Sequence, residues 1–205
     1  MSGFNQELLK KMLSSATCSI ESNVAHLNQL DSATGDGDHG TSIVKAIRAA
    51  SKSVAEAPQD QSLKETLYNA GWAVMGEDCG STSSLIGAYF MGMSEAAVSD
   101  ELDITATIAL FAAGLAGVSK QTKAKVGDKT LMDALIPATE AMQGASDLKT
   151  ALDTAASAAT QGAESTKNFV AKFGRAKNLG ERSVGHVDAG ATSIALIFDA
   201  FAKSL

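Results

Sequence analysis

Eight separate stretches of this 205-residue chain place apolar side chains every three or four positions, the spacing that lines them up on one face of an α-helix. The first runs from Asn5 to Asn28, with Leu9, Leu13, Ala16, Ile20, Val24 and Leu27 on its stripe. The second starts near Thr41 and stops before Pro58, and the third occupies Ser62 to Met75. Ser84 to Val98, Ile104 to Val118, a segment opening at Thr130, Asp147 to Lys172, and Ala191 to Ala202 supply the rest. Pro137 falls inside the sixth, where it predicts a kink rather than a break. Thr130 and Asp133 stand at capping-box spacing ahead of it. Aromatic and β-branched residues are too scattered to suggest many strands. Alanine is frequent where Leu and Phe would carry a general hydrophobic surplus, which predicts closely packed helices. No repeat, low-complexity tract or linker divides the chain. The expectation is all-α: one domain over residues 1–205, a barrel or bundle of about eight antiparallel amphipathic helices.

Charge and composition exclude several classes. The net charge is −6 and no run of Lys or Arg forms a stripe, so nucleic acid is not an expected partner. Cys18 and Cys79 make no disulfide framework and have no metal-ligand spacing. The segment Met1 to Glu7 lacks a basic start and an apolar signal core. No apolar run approaches the roughly 20 residues of a membrane span. The expected setting is the cytoplasm, without membrane contact.

Between the first two helices lies Leu30-Asp31-Ser32-Ala33-Thr34-Gly35-Asp36-Gly37-Asp38-His39-Gly40-Thr41. Its carboxylates at Asp31, Asp36 and Asp38 would diverge on a helix, and its glycines favour a tight loop. A solvated acidic turn is the plain alternative. Carboxylates gathered on one loop repel unless a cation sits among them. An EF-hand reading fails: counting from Asp36 puts Ile47 where the bidentate Glu belongs. Oxygen-only ligands on a glycine-bearing loop suit Mg²⁺. Gly40-Thr41-Ser42 then opens a helix, and amides at a helix start beside a cation can hold phosphate.

A second glycine-bearing stretch, Gly76 to Ser84, has four consecutive hydroxyl residues, more than capping requires. A third, Gly174 to Gly190, reads as a long loop, and loops of that length tend to be functional or disordered. If consecutive helices run antiparallel, the loops after helices one, three, five and seven share one end. All the informative loops follow odd-numbered helices, which predicts one composite site. Its contents suit a nucleoside di- or triphosphate: Mg²⁺ on Asp31, Asp36 and Asp38, phosphate on the amides of Gly40 to Ser42 with Ser81 and Thr82, and a forked contact from Arg175. There is no Walker lysine motif, so this is not a P-loop protein.

Leu30-Asp31 with Gly35-Asp36-Gly37-Asp38-His39-Gly40, then Gly127-Asp128-Lys129-Thr130, then Gly174-Arg175-Ala176, Leu179 to Ser183 and Gly190-Ala191-Thr192-Ser193 resemble the L subunit of dihydroxyacetone kinases in order and over nearly the whole chain. The resemblance implies a barrel of eight helices with ADP or ATP and two Mg²⁺ at one end. It implies phosphoryl transfer to a small ketose held on a separate K subunit, with either ATP or a phosphotransferase-system protein as donor. By position it makes Asp31, Asp36 and Asp38 the metal ligands and Arg175 the catalytic group. It places His39, Gly40, Thr41, Ser42, Ser81, Thr82, Thr122, Leu131, Arg175, Asp188, Ala189 and Gly190 around the nucleotide. The chain departs from the family at Asp78-Cys79-Gly80, where two adjacent glycines are common, and at Ala189, where a proline is common. His39 reads as a helix-start histidine near phosphate, with no partner visible to orient it as a base. His26 and His186 read as structural, and Cys79 as a small residue beside ligand. The rival class is a nucleotide-sensing protein that docks on a regulator and catalyses nothing.

Overall fold

The computed structural model describes residues 3–205. A two-residue strand β1 (Phe4–Asn5) leads into α1 (Gln6–Ser32), α2 (His39–Ala55), α3 (Leu63–Met75) and α4 (Ser81–Ala96). Then come β2 (Glu101–Leu102), α5 (Ile104–Gln121), α6 (Met132–Ala141), α7 (Leu148–Ser165) and α8 (Ala189–Lys203). Consecutive helices pack side by side and α8 returns against α1, which closes the ring; the thinnest seam lies between α5 and α6. The β1–β2 pair is antiparallel and ties the start of the chain to the start of α5.

The apolar stripes face inward, as their spacing requires. Phe111 of α5 sits at the centre, with ring centroids 6.1 Å from Phe4 and 6.0 Å from Phe198. Each such buried aromatic or aliphatic side chain contributes roughly 1.5–3 kcal/mol. Small residues set the helix spacing. A Cβ on Gly92 would collide with the carbonyl oxygen of Ala113, and one on Gly117 with that of Ala88, so α4 and α5 touch backbone to backbone. α5 is long and apolar enough, by length and composition, to cross a membrane. Here Leu110, Phe111 and Val118 put its apolar side into the core.

Several elements differ from the periodicity reading. α1 continues past Asn28 to Ser32, because nothing before Gly35 breaks it, and Asp31 therefore stands on a helix rather than in a loop. α4 begins at Ser81 rather than Ser84. α7 stops at Ser165 rather than Lys172, passing into a 3₁₀ turn, Thr166–Asn168, whose Thr166 hydroxyl bonds back to the Ala163 carbonyl at 2.5 Å. The stretch after Gly174 is not irregular: Arg175–Ser183 is 3₁₀ in two pieces, broken at Gly180 with φ 55°. Ser183 anchors it from inside, accepting from the Ala171 amide at 2.9 Å.

Candidate functional site

The loops following α1, α3, α5 and α7 and the starts of α2, α4, α6 and α8 surround one cavity of about 870 Å³. Its lining includes Asp31, Asp36, Asp38, His39, Ser42, Ser81, Thr82, Thr122, Leu131, Arg175, Asp188, Ala189 and Gly190. Two expected contributors lie elsewhere. Gly40 is buried against α1, where any Cβ would strike the Val24 carbonyl. The Thr41 amide already donates to Asn28 Oδ1 at 3.2 Å, and the Asn28 amide group donates back to the Thr41 hydroxyl. Both residues fasten α2 to α1 instead of facing the cavity.

The three carboxylates each offer an oxygen such that all lie within 4.8 Å of one another. This oxygen-only set fits a hard divalent cation such as Mg²⁺. Asp31 is fixed before any ion arrives: its Oδ2 accepts from the amides of Gly37 at 2.9 Å, Asp38 at 3.0 Å and His39 at 3.4 Å. The close approach demands a glycine at position 35, whose Cβ would lie 2.5 Å from Asp31 Oδ1. Asp36 and Asp38 are exposed, and Asp36 pairs with the guanidinium of Arg175. Both partners of that pair face solvent, so it holds the loops together by only about 0–1 kcal/mol.

One helix start at this end is open. α4 begins after Gly80, at φ 58° and ψ −133°, with no side-chain cap on its first amides. Ser83 turns its hydroxyl to the Gly80 carbonyl at 2.9 Å, which leaves Ser81 and Thr82 on the cavity wall. Free amides at a helix start, with the positive end of the helix dipole, suit an anion. α2 begins at His39, whose Nε2 lies 3.0 Å from Ser193 Oγ on α8, the orienting partner that sequence reasoning did not find. The Ser193 hydroxyl donates to the Gly190 carbonyl at 2.8 Å, so it accepts from His39 and fixes the ring proton on Nε2. Burial lowers the His39 pKa despite the nearby Asp31 carboxylate, which keeps the ring neutral and Nδ1 an acceptor.

The Gly127-Asp128-Lys129-Thr130 motif marks a turn of the site in the sequence but gives Asp128 and Lys129 no role. In the first turn of α6, Asp133 accepts from the amides of Gly127 at 2.6 Å and Thr130 at 2.7 Å in the preceding turn, and burial raises its pKa. Burial alone would also raise Asp128, but Lys172 at 2.7 Å and the Lys125 amide outweigh it and hold the carboxyl below its ordinary value. Between them Lys129 is 2 % exposed and lines the cavity. The motif is visible in the sequence, but whether its lysine points to solvent or inward is not. Across the cavity Asp188 caps α8 by accepting from the Ala191 amide at 2.7 Å, and burial pushes its carboxyl up to about 6. Gly190 packs on Leu131, where a Cβ would meet the Leu131 Cβ at 3.4 Å.

Residues 33–203 match the DAK2 domain. The chain is 35% identical over 185 residues to the ADP-binding subunit DhaL of PEP-dependent dihydroxyacetone kinase 1 from Listeria innocua, covering 90% of this chain and 89% of that one. It is 34% identical over 176 residues to the corresponding subunit of PEP-dependent dihydroxyacetone kinase from Escherichia coli, at 82% of each chain. Its whole length also superposes on the dihydroxyacetone kinase from C. freundii solved with AMP-PNP and Mg²⁺, with a TM-score of 0.75 and 26% identity. The chain spans 35% of that kinase. The chain belongs to the DAK2 domain family.

Proposed function

We propose that this chain is the nucleotide-binding subunit of a kinase for dihydroxyacetone or a related small ketose, working in the cytoplasm with a K-type partner that holds the ketose. The observation that carries this reading is the convergence of three carboxylates within 4.8 Å, an uncapped helix start and Arg175 on one cavity. Asp31, Asp36 and Asp38 would hold Mg²⁺, two ions in this reading, which would supply charge neutralisation of the phosphates. Ser81 presents its amide, and Ser81 and Thr82 their hydroxyls, to phosphate oxygens at the α4 start; the Thr82 amide donates to the Cys79 carbonyl. His39, Ser42, Thr122, Leu131 and the Asp188–Gly190 turn surround the nucleotide. Arg175 leaves Asp36 and turns its fork to the transferring group, where its charge opposes that of the transition state. The relatives matched over 82–89% of their length are named as PEP-dependent ADP-binding subunits. Those names support ADP that stays on the chain and is recharged by a phosphotransferase-system donor.

The test is calorimetry of ADP with Mg²⁺ and with chelator, followed by turnover in the pair reconstituted with a K subunit and either donor. Arg175→Lys keeps a positive charge but loses the fork. Its kcat is expected to fall at least about tenfold, equivalent to ~1.4 kcal/mol, with a smaller change in ADP affinity. Weakened ADP binding without turnover in any pairing would favour a nucleotide sensor instead.

A further inference from the structure

Lys129 is the only non-glycine residue with positive φ among the described residues, at 60°. L side chains are disfavoured there, and such a backbone persists where its surroundings demand it. The side chain shows why it is held. Its ammonium, buried at 2 % exposure, donates to the Thr166 carbonyl at 2.6 Å and to the His186 carbonyl. Those acceptors belong to segments 37 and 57 residues away along the chain: the 3₁₀ turn ending α7 and the approach to α8. Thr166 also accepts, through its hydroxyl, from the Asp188 amide at 2.8 Å, and the Gly185 amide donates to the Lys167 carbonyl at 2.7 Å. One ammonium therefore joins the turn before α6, the end of α7 and the start of α8.

Two neutral carbonyls do not need a charged donor. The positive charge answers to the carboxylates around it, Asp133 on the α6 side and Asp188 on the α8 side. Asp188 is in turn faced by Asp133, Lys129 and Asp31, so Lys129 is the cation among its charged neighbours. Removing an ammonium from such a place leaves two buried acceptors unpaired and the carboxylates uncompensated.

We propose that Lys129 is a positioning residue for the nucleotide site, holding the Asp188–Gly190 wall against the Gly127–Leu131 turn through its bonds to the Thr166 and His186 carbonyls. It acts through that wall and not by touching phosphate. The consequence for nucleotide affinity rests on the function proposed above; the placement of the wall does not.

The test is amide hydrogen exchange of the ligand-free chain, with Lys129→Asn and Lys129→Arg beside the unaltered protein. Asn tolerates φ 60° and removes the charge; Arg keeps the charge and misplaces the donors. Exchange at residues 186–191 is expected to rise at least about tenfold in both variants, with α1 and α5 unchanged. Carboxyl NMR of Asp188 separates charge from packing: the midpoint moves up by about one unit in Lys129→Asn and stays in Lys129→Arg. ADP dissociation constants are expected to rise at least about tenfold in Lys129→Asn. Native exchange at 186–191 in a folded variant overturns the proposal, and so does protection lost evenly over all helices. Should Lys129→Asn fail to fold, the exchange pattern of Lys129→Arg decides alone. Because exchange is read without ligand, an unaltered chain that binds no ADP sinks the proposed function and leaves this test intact.

Discussion

The two ends of the helical ring begin their helices differently. At the end away from the cavity, α1, α3, α5 and α7 all start under a side-chain cap: Asn5 accepts from Leu8, Ser62 from Glu65, Asp103 from Ala106 and Asp147 from Thr150. At the cavity end only α8 has a capping side chain of the same kind, Asp188. First-turn amides of α2 donate to Asp31 and Asn28 and the first amide of α6 to the Thr130 hydroxyl, while α4 starts with no side-chain acceptor at all. A cap is worth about 1 kcal/mol, which α4 alone forgoes. What the cavity end keeps is one helix start, that of α4, unblocked by side chains and lining the same cavity as the three carboxylates. One end is finished by its own residues; the other leaves α4 open.

The largest effect should come from removing an acid at the unfinished end. Asp36→Ala is expected to change ligand-free stability by less than about 0.5 kcal/mol, because relieved repulsion offsets the exposed pair with Arg175. The protection from ADP and Mg²⁺, about 2.7 kcal/mol at a hundredfold excess over the dissociation constant, should vanish. Thermal shifts with and without ligand measure both, and retained protection would remove Asp36 from the metal site.

Asp188→Asn sharpens the comparison, since Asp188 is the one cavity-end cap. Its folded pKa of about 6 lies above the ordinary 3.8. The native state therefore binds more protons than the unfolded chain between those values, and stability falls as pH rises through that window. Asn still accepts from the Ala191 amide but carries no charge. The ligand-free variant is expected to be more stable at pH 7 by about 1–3 kcal/mol, with the gain disappearing near pH 4. Urea unfolding at the two pH values checks this; a gain that persists at pH 4 would contradict the sign.

The smallest effect belongs to the finished end. Asp103→Ala should cost about 1 kcal/mol, a drop of roughly 2–4 °C in Tm for a chain of this size. ADP affinity should not change. A loss of affinity by calorimetry would mean that the two ends are coupled through α5.

Most of the architecture follows from local rules. Stripes such as Leu9, Leu13, Ala16 and Ile20 bury one face of a helix whatever its neighbours are, and they all lie in the core. The antiparallel order of short-linked helices then gathers the glycine-bearing loops at one end, so the cavity and the acids at Asp31, Asp36 and Asp38 were readable. The packing of Gly40 and Thr41 against α1 was not legible, because a glycine and a hydroxyl at a helix start suit phosphate and close helix packing equally, and Val24 and Asn28 are met only in the fold. His39 lacked a visible partner because Ser193 lies 154 residues away.

The sequence by itself determined the helices, their amphipathic faces and the local spacing of the acids, since these depend on side chains within a few residues of each other. Only the tertiary structure decided which polar groups meet from afar: Arg175 with Asp36, His39 with Ser193, and Lys129 with the carbonyls of Thr166 and His186. A lysine carries the same charge whether it points to water or inward. Its direction is set by which carbonyls the folded chain leaves without a partner, and those are fixed only when the ring closes.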